Sequence, residues 1–488
     1  MGFKTDTSFL RFLTMGAVGV RATMAQLRAD GFDPIELERY CTSNKIWATK
    51  VKRLRLPDVL CVRTGLRVEV RAKSDLKVRM SDAPTNCDRR WDVGLRADDV
   101  VAFVPCDGGG KKIRAVGAPV FFLVGDLRAS VRRTKLGPPK SASEGAERDR
   151  EWKSTVPSQD GEVLQVTKDK IVAQLESGRR QTYRLGGKAP YVRAGDRFKG
   201  GVSIIAGVVA RLAPLAAARV RKWDPVRTLK APDAVDRYAA AKAIPYRSTG
   251  GLQAGRALLT GIKGEKDDRV ALEMAASAAR LQAAGGFEHV VGTVWNQERG
   301  DLRMEAVLIL CELATTEAAK ELKRIATAAE FAGDELRRAA TWGLGKAGCR
   351  AYADLVDLLG DGDDALALHA IAAFGPDTPT GVVESLVEEL RRGGVRERPA
   401  ASEALRLIGS EAVLHALIST LRGGDGPRAW ILATLGRLDA VTVRSALAGD
   451  SLLAEVEPLL ALGPAENWLA AAEIAADLRF LLLQDVPA

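Results

Sequence analysis

Apolar side chains recur at helical spacing near the start of the chain. Between residues 8 and 29 they fall mostly on one side of a helix, and Asp6-Thr7-Ser8 before them offers an N-cap while Gly31 after them offers a stop. The apolar positions are Phe9, Phe12, Leu13, Val20, Met24 and Leu27. This pattern predicts one amphipathic helix.

Short alternating segments follow this helix. Residues 34–40 alternate apolar and polar side chains, residues 57–73 read as two strands closed by a turn at Arg63-Thr64-Gly65, and Val100-Val101-Ala102-Phe103-Val104-Pro105 reads as a further strand. The order helix, three strands, connection, strand predicts an α+β domain over residues 1–107.

The next segments differ in amino-acid composition and in the elements they predict. Residues 108–160 contain a triple glycine, one more predicted strand with a short helix, and then a polar, proline-bearing stretch, so we interpret them as a connector and linker. Residues 161–230 carry short strands at Val163–Val166, Lys170–Leu175 and Gln181–Arg184 between regular turn residues. They predict a small basic β-barrel or sandwich.

From residue 231 to 488 the chain consists of Ala/Leu-rich helical segments separated by Gly, Asp and Pro. Several align with one another and close on Gly345, Gly375, Gly409 and Gly436, which are 30, 34 and 27 residues apart, the spacing of paired-helix repeats. The Asp/Arg-x-x-Ala-x-x-x-Leu-Gly texture resembles the HEAT family over about 240–485. The resemblance implies an all-α solenoid, and the whole chain is predicted to be multidomain.

Charge divides the chain at the same place. Residues 1–230 hold 45 Lys and Arg against 25 Asp and Glu, a net charge of +20, whereas residues 231–488 hold 27 against 37, a net charge of −10. This asymmetry favours a polyanion such as DNA as the partner of the first half and an unidentified protein as the partner of the acidic helical half.

The remaining composition narrows the class of protein. No apolar run approaches the roughly 20 residues that a bilayer requires, so no membrane partner is expected. The N-terminal residues lack the order of a signal peptide, and we expect a cytoplasmic location. The six cysteines form no CxxC pair, which argues against a zinc knuckle and a disulfide framework.

Two carboxylates in the 57–73 hairpin are the strongest candidates for chemistry. Asp58 opens the first strand and Glu69 lies on the second, where they can converge on Mg²⁺ or Mn²⁺, which prefer oxygen ligands. Strand alternation places Arg67, Arg71 and Lys73 on the face of Glu69. The alternative interpretation is that Arg67, Glu69, Arg71 and Lys73 form the solvent-exposed face of an amphipathic strand.

At these residues the sequence resembles the PD-(D/E)xK nuclease superfamily over about 105 residues. Pro57-Asp58, the eleven-residue spacing to Glu69 and the preceding helix and strand match its pattern. The resemblance implies metal-dependent phosphodiester cleavage with Asp58 and Glu69 as metal ligands and a lysine two residues after the glutamate. That position holds Arg71, which stays protonated and cannot act as a base, while Lys73 is the next residue on the same face.

A basic stretch before the hairpin fits contact with a nucleic-acid backbone. Together with Arg67, which could neutralise phosphate from the strand, the predicted nucleic-acid-binding residues are Lys45, Trp47, Lys50, Lys52, Arg53 and Arg55. A solvated charge run is the alternative interpretation of this stretch.

These observations predict a DNA-binding, metal-dependent, endonuclease-like protein that acts in DNA processing or defence against foreign DNA, with the solenoid as a docking scaffold. One alternative is an adaptor that binds DNA without cleaving it. Another is a structural interaction protein whose basic half meets an acidic partner or RNA.

Overall fold

A computed structural model describes residues 7–37, 54–82, 90–107, 113–130, 132–136, 148–211, 222–247, 251–346, 348–424 and 426–462. The chain forms two compact units, one made chiefly of Phe12–Cys41 and Lys52–Ala283 and the other chiefly of Ala284–Asp485. The first is rich in strands and the second is helical, so the multidomain order predicted from the sequence is confirmed at this level.

The described elements of the strand-rich unit follow one another along the chain. They are α1 (Thr7–Ala29), β1 (Pro34–Glu36), β2 (Val59–Cys61), β3 (Arg67–Lys73), β4 (Arg79–Asp82), β5 (Val100–Asp107), β6 (Arg114–Ala115), β7 (Val120–Leu123), α2 (Val124–Ala129), β8 (Arg133–Leu136), β9 (Arg148–Glu151), β10 (Ser154–Thr155), β11 (Gly161–Val166), β12 (Lys170–Leu175), β13 (Arg180–Arg184), β14 (Ala189–Pro190), β15 (Arg197–Phe198), β16 (Ala206–Gly207), α3 (Pro225–Thr228), α4 (Ala234–Ala243), α5 (Gly251–Ile262) and α6 (Asp268–Arg280).

A six-stranded mixed sheet organises this unit. Its strand order is β1-β2-β3-β5-β6, and β7 also pairs with β5. The β2–β3 hairpin is antiparallel, whereas β3 and β5 run parallel, with Val68 opposite Val100. A parallel pair needs a crossover, which residues 74–99 supply.

Helix α1 covers one face of this sheet. Val20, Met24 and Leu27 from the helix share an apolar cluster with Val68 and Val70 of β3. At Gly19 the approach is so close that an added Cβ would lie 2.9 Å from the Ala72 Cβ. Strand alternation thus turns the even-numbered residues of β3 toward α1 and the odd-numbered ones toward the other face.

The opposite face is covered by a second apolar cluster. Val101 and Phe103 of β5 pack there with Phe122 of β7, with the fully buried Trp152, and with Ile204. Trp91 meets Trp152 edge-on, with ring centroids 5.3 Å apart. Residues from the predicted linker therefore contribute to the core.

Residues 108–160 contain more regular structure than the predicted connector and linker. The predicted strand and short helix correspond to β7 and α2, but β8 runs up to the start of the stretch interpreted as a loop and β9 lies inside it. These two strands form a three-stranded antiparallel sheet with β4 in the order β4-β9-β8. Cross-strand pairing, rather than an apolar pattern, defines them.

The small β-region follows its alternating pattern closely. Strands β11, β12 and β13 form an antiparallel meander, and β15 adds to it in the order β13-β12-β11-β15. Alternate residues of β12 are buried, with Ile171, Ala173 and Leu175 facing a core that includes Phe198. Strands β10, β16 and β14 form a separate three-stranded sheet.

Helices α4, α5 and α6 belong to the strand-rich unit. Ile35 of β1 and Leu60 of β2 share an apolar cluster with Tyr238 of α4, Leu258 of α5 and Met274 of α6. The predicted helical domain begins at residue 231, whereas the compact unit continues to Ala283. The helices within residues 231–283 therefore pack on the sheet of the strand-rich unit and do not form a core of their own.

The described elements of the second unit are all helical. They are α7 (Gly286–Asn296), α8 (Gly300–Leu313), α9 (Thr316–Thr327), α10 (Glu335–Leu344), α11 (Tyr352–Asp357), α12 (Asp364–Ile371), α13 (Thr380–Arg392), α14 (Glu397–Ile408), α15 (Glu411–Gly423), α16 (Arg428–Leu435), α17 (Ala440–Ala446) and α18 (Leu452–Leu462), with short 3₁₀ turns between some of them.

Alternate helices of this unit pack against one another. Contacts run from α8 to α10, α12, α14, α16 and α18 in succession. Gly345, Gly409 and Gly436 are the C-cap residues of α10, α14 and α16, and Gly409 adopts a φ of 53°, which favours glycine. Three of the four recurrent glycines thus end alternate helices.

In the part of the chain that is described, no helix is both long and apolar enough to cross a membrane.

Candidate metal and nucleic-acid site

Asp58 and Glu69 lie next to the paired residues of the β2–β3 hairpin. Val59 pairs with Val68, Asp58 immediately precedes β2, and Glu69 immediately follows Val68 on β3. Asp58 Oδ2 accepts a hydrogen bond of 2.6 Å from the backbone N–H of Val70. This bond places the Asp58 carboxylate beside the backbone of β3, one residue from Glu69.

Glu69 is already engaged by a cation. Arg71 Nη2 lies 2.8 Å from Glu69 Oε1, and the side chains of Arg71 and Glu69 are 38% and 15% exposed. An ion pair two residues along one strand face requires no rearrangement of the backbone. In this arrangement the arginine neutralises the carboxylate that the resemblance makes a metal ligand.

Lys73 ends the row in a half-buried position. Burial, followed by the nearby positive charges of Arg71 and Arg79, lowers the pKa of its amine to about 8, against the raising influence of Asp149 and Asp75. A lysine with this pKa is partly neutral near physiological pH and can accept a proton. Lys73 is therefore the residue of the row that is suited to act as a base.

Arg67 does not belong to an exposed binding surface. Its side chain is 2% exposed, Nε and Nη2 bond Asp99 at 3.0 and 2.5 Å, and Nη1 bonds Asp236 at 3.1 Å. Nη2 also donates to the Gly94 carbonyl. Its prediction as a nucleic-acid contact is wrong, because all of these bonds hold it inside the unit as a structural cation.

The row has apolar cover on both sides. On the same face, Leu60 of β2 belongs to the cluster with α4, α5 and α6, while Val101 and Phe103 of β5 belong to the cluster around Trp152. Along β3 the side chains pass from buried at Arg67 to half-buried at Lys73. The charged face thus becomes accessible only at the C-terminal half of β3.

Most of the predicted backbone-contacting residues cannot be placed relative to this row. Lys45, Trp47, Lys50, Lys52 and Arg53 lie outside the described residues. Arg55 is described and is exposed, four residues before β2. Its prediction as a phosphate contact stands as a proposal.

The oxygen ligands of Asp58 and Glu69 suit a hard divalent cation, but they are few. Among the described residues no group of three His, Cys, Asp or Glu side chains could enclose a metal ion. One or two carboxylates are nevertheless what Mg²⁺ commonly takes from a protein, because it keeps several waters and shares substrate phosphate oxygens. Asp58 and Glu69 would hold it there, provided that Glu69 releases Arg71.

Sequence reasoning missed Arg79 and the sheet to which it belongs. Arg79 on β4 lies close enough to lower the pKa of Lys73, and its Nη1 is 3.8 Å from Asp149 of β9. The alternating charges of Arg148-Asp149-Arg150-Glu151 were the available signal. Alternating charges allow opposite charges to face each other across a strand pair, as Arg79 faces Glu151.

Comparison with known proteins adds little to this geometry. No family model and no curated protein matches the chain. Among solved structures, the X-ray structure of YibA from E. coli is 16% identical with a TM-score of 0.27, and the match covers 51% of this chain and 89% of that one. A crystal structure of an engineered protein is 19% identical with a TM-score of 0.21, covering 52% and 94% of the respective chains. Similarities this low carry no argument about fold or function.

Proposed function

We propose that the strand-rich unit is a nuclease-like module of the PD-(D/E)xK type that binds DNA and hydrolyses its phosphodiester bonds with Mg²⁺ or Mn²⁺. The observation that carries the proposal is the Asp58 carboxylate held against the backbone of β3 beside Glu69 on the β2–β3 hairpin. The arrangement around it supports the proposal, since α1 covers the other face and β3 runs parallel to β5.

The row along β3 supplies distinct roles for this reaction. A divalent cation held by Asp58 and Glu69 would lower the pKa of a bound water and offset charge on the phosphate. Lys73, with its pKa lowered to about 8, would take the proton of the attacking water. Arg71 would bind a non-bridging phosphate oxygen once Glu69 binds metal.

The helical unit is proposed to be a HEAT-like stack that docks a protein. Ion pairs join alternate helices along it: Arg338 of α10 bonds Asp363, the N-cap of α12, at 2.7 Å, and Arg428 of α16 bonds Glu455 of α18 at 2.7 Å. Arg437, just after α16, bonds Glu403 of α14. Recurring links of this kind are what repeats of one supersecondary unit produce. The acidic composition of residues 231–488 favours a basic partner surface.

One observation favours a second candidate function. The Glu69–Arg71 ion pair neutralises one of the two carboxylates, and an arginine occupies the position where the resembled family has lysine. A module in which this pair stays closed would bind DNA without cutting it. The chain would then be an adaptor that brings DNA to the partner of its helical unit.

A cleavage assay on the full-length chain separates the two candidates. Supercoiled plasmid and linear DNA are incubated with Mg²⁺ or Mn²⁺ and with wild type, Asp58→Asn or Glu69→Gln. Asp33→Asn is the matched control, because it removes an exposed carboxylate that pairs with Arg63 before β1. We expect cleavage by wild type and Asp33→Asn and at least a hundredfold loss in the other two variants.

Metal binding is measured alongside by electron paramagnetic resonance of Mn²⁺. DNA binding without cleavage and without Mn²⁺ binding by the wild type would reject the nuclease and favour the adaptor. Absence of both cleavage and DNA binding would reject both candidates.

A further inference from the structure

The outer face of the β11–β13 sheet carries one facing pair of like charges and a third cation further along β13. Lys170 of β12 lies directly opposite Arg184 of β13, and Gln174 lies opposite Arg180 at the other end of the two strands. Lys170, Arg180 and Arg184 are all exposed. Thr182 and Val172 form the uncharged pair between them. On β12 and β13 the face therefore presents three cations with uncharged side chains among them, and Glu162 of β11 lies beside Gln174 at one end.

This row points away from the core of the β-region. Along β13 the residues alternate between exposed and half-buried, and Tyr183, on the inner side, meets Phe198 edge-on with ring centroids 6.4 Å apart. Arg180, Thr182 and Arg184 are the exposed members. Since β13 is the edge strand of its sheet, the row is open on one side as well.

Facing like charges oppose folding in the absence of a partner. Lysine directly opposite arginine destabilises a strand pair by about 0.2–1 kcal/mol. Within the described residues neither Lys170, Arg180 nor Arg184 forms an ion pair. The β4-β9-β8 sheet is built in the opposite way, with Arg79 facing Glu151. The unpaired cations of β12 and β13 are thus a local exception that an external anion would relieve.

The length of the row selects a polymer over a single anion. Arg180 and Arg184 are four residues apart on one strand, which separates their Cα atoms by about 13 Å. A lone phosphate cannot bridge that distance, whereas successive phosphates of a nucleic-acid backbone can. Across residues 161–200 nine basic residues stand against four acidic ones, so the surroundings add to the same attraction.

We propose that the cationic row, defined as Lys170, Arg180 and Arg184, binds the phosphate backbone of duplex DNA without reading its sequence. The six outer residues of β12 and β13 include no aromatic side chain, which disfavours base stacking and insertion into a lipid interface. The inference rests on the proposed function for its choice of substrate. It assigns a second contact surface that is distinct from the residues of the metal site.

Fluorescence anisotropy of a labelled 30-base-pair duplex tests this assignment on the full-length chain. The titrations are made in EDTA at several KCl concentrations, so that binding is read without any contribution from a metal-dependent reaction. We expect Lys170→Gln/Arg184→Gln to bind at least tenfold more weakly at low salt. The slope of log K against log[KCl] should fall in magnitude by about 2.

The matched control is Lys222→Gln/Lys230→Gln, which removes two exposed lysines of the same unit that lie outside the β11–β13 sheet. It should keep the wild-type affinity and slope within about twofold. Equal affinities and slopes for wild type and Lys170→Gln/Arg184→Gln would overturn the proposal. A loss of affinity equal in both double variants would overturn it too, because only net charge would then matter.

Two further readouts distinguish a structural role and another partner. Without DNA, Lys170→Gln/Arg184→Gln should melt at the wild-type temperature or slightly above it, because a repulsion has been removed. A lower melting temperature would show that the cations stabilise the fold and would overturn the proposal. The single variant Arg180→Gln repeats the binding test with one substitution. Binding to phosphatidylserine vesicles but not to DNA would also overturn it. A chain that binds DNA through this row but cuts none would leave the inference standing and reject only the nuclease.

Discussion

Replacing Arg67 by alanine should destabilise the strand-rich unit strongly. The side chain is almost wholly buried and gives four hydrogen bonds, to Asp99 twice, to Asp236 and to the Gly94 carbonyl. Its removal leaves the Asp99 carboxylate, which is 1% exposed, without its closest cation. A charge left in this state costs far more than the lost bonds themselves contribute.

The magnitude follows from what remains around Asp99. Breaking a buried ion pair by removing one partner costs about 3–5 kcal/mol. Here Arg96 Nε stays 3.6 Å from Asp99 Oδ1, and the Arg96 backbone N–H still donates to Asp99 Oδ2 at 2.6 Å. This partial compensation places the expected loss at the lower end of the range, about 3 kcal/mol.

Amide hydrogen exchange of the full-length chain, read by mass spectrometry on peptides spanning β3, measures this loss without assuming that both units unfold together. A loss of about 3 kcal/mol speeds exchange on the order of a hundredfold. The control is Arg197→Ala, since Arg197 is 87% exposed and lies 3.7 Å from Glu162. That exposed pair contributes about 0–1 kcal/mol.

A change below about 1 kcal/mol for Arg67→Ala would refute the reasoning from burial. The combination Arg67→Met/Asp99→Asn gives a second check, because it removes both charges while the asparagine still accepts from the Arg96 backbone. It should be more stable than Arg67→Ala. Equal stability of the two variants would show that the unpaired carboxylate is not the source of the loss.

Two further predictions concern Lys73 and the helical unit. DNA cleavage should rise as the pH increases toward about 8 and level off above it. Burial and Arg71 lower the pKa of Lys73 to about 8, and only the neutral amine accepts a proton. A Lys73→Arg variant with an unchanged pH profile would contradict this prediction. Gly343→Ala should lower the stability of the helical unit by about 1–3 kcal/mol in thermal denaturation, because its Cβ would lie 2.3 Å from Cys311 Sγ. Gly381→Ala, in open space on α13, should leave stability unchanged or raise it by up to about 1 kcal/mol, and equal effects at both glycines would speak against the close contact.

Local patterns predicted the local structure of this chain well. The helix predicted over 8–29 is α1 at Thr7–Ala29, and the strand predicted at Lys170–Leu175 has the same bounds in the structure. That Asp58 lies beside β3 close to Glu69 was also accessible, because a tight turn sets the register of a hairpin. Each of these features depends on residues close together in the sequence.

The errors concern contacts between distant residues. Arg67 looked like one more cation on a solvated face, and its acceptors Asp99 and Asp236 are 32 and 169 positions away. Strand β9 carries no apolar residue at all, so hydrophobic alternation could not reveal it. Its Glu151 lies opposite Arg79 of β4, and this pairing becomes visible only once the register is known.

The apolar cluster that joins β1 and β2 to α4, α5 and α6 has a consequence for how the chain can be divided. A fragment ending at residue 230 would expose Ile35 and Leu60 to water and leave an aggregation-prone apolar face on the sheet. Recombination that adds or deletes helix pairs is compatible with this core only beyond Ala283. The hairpin that carries Asp58 and Glu69 must therefore be inherited together with the three helices that pack on it.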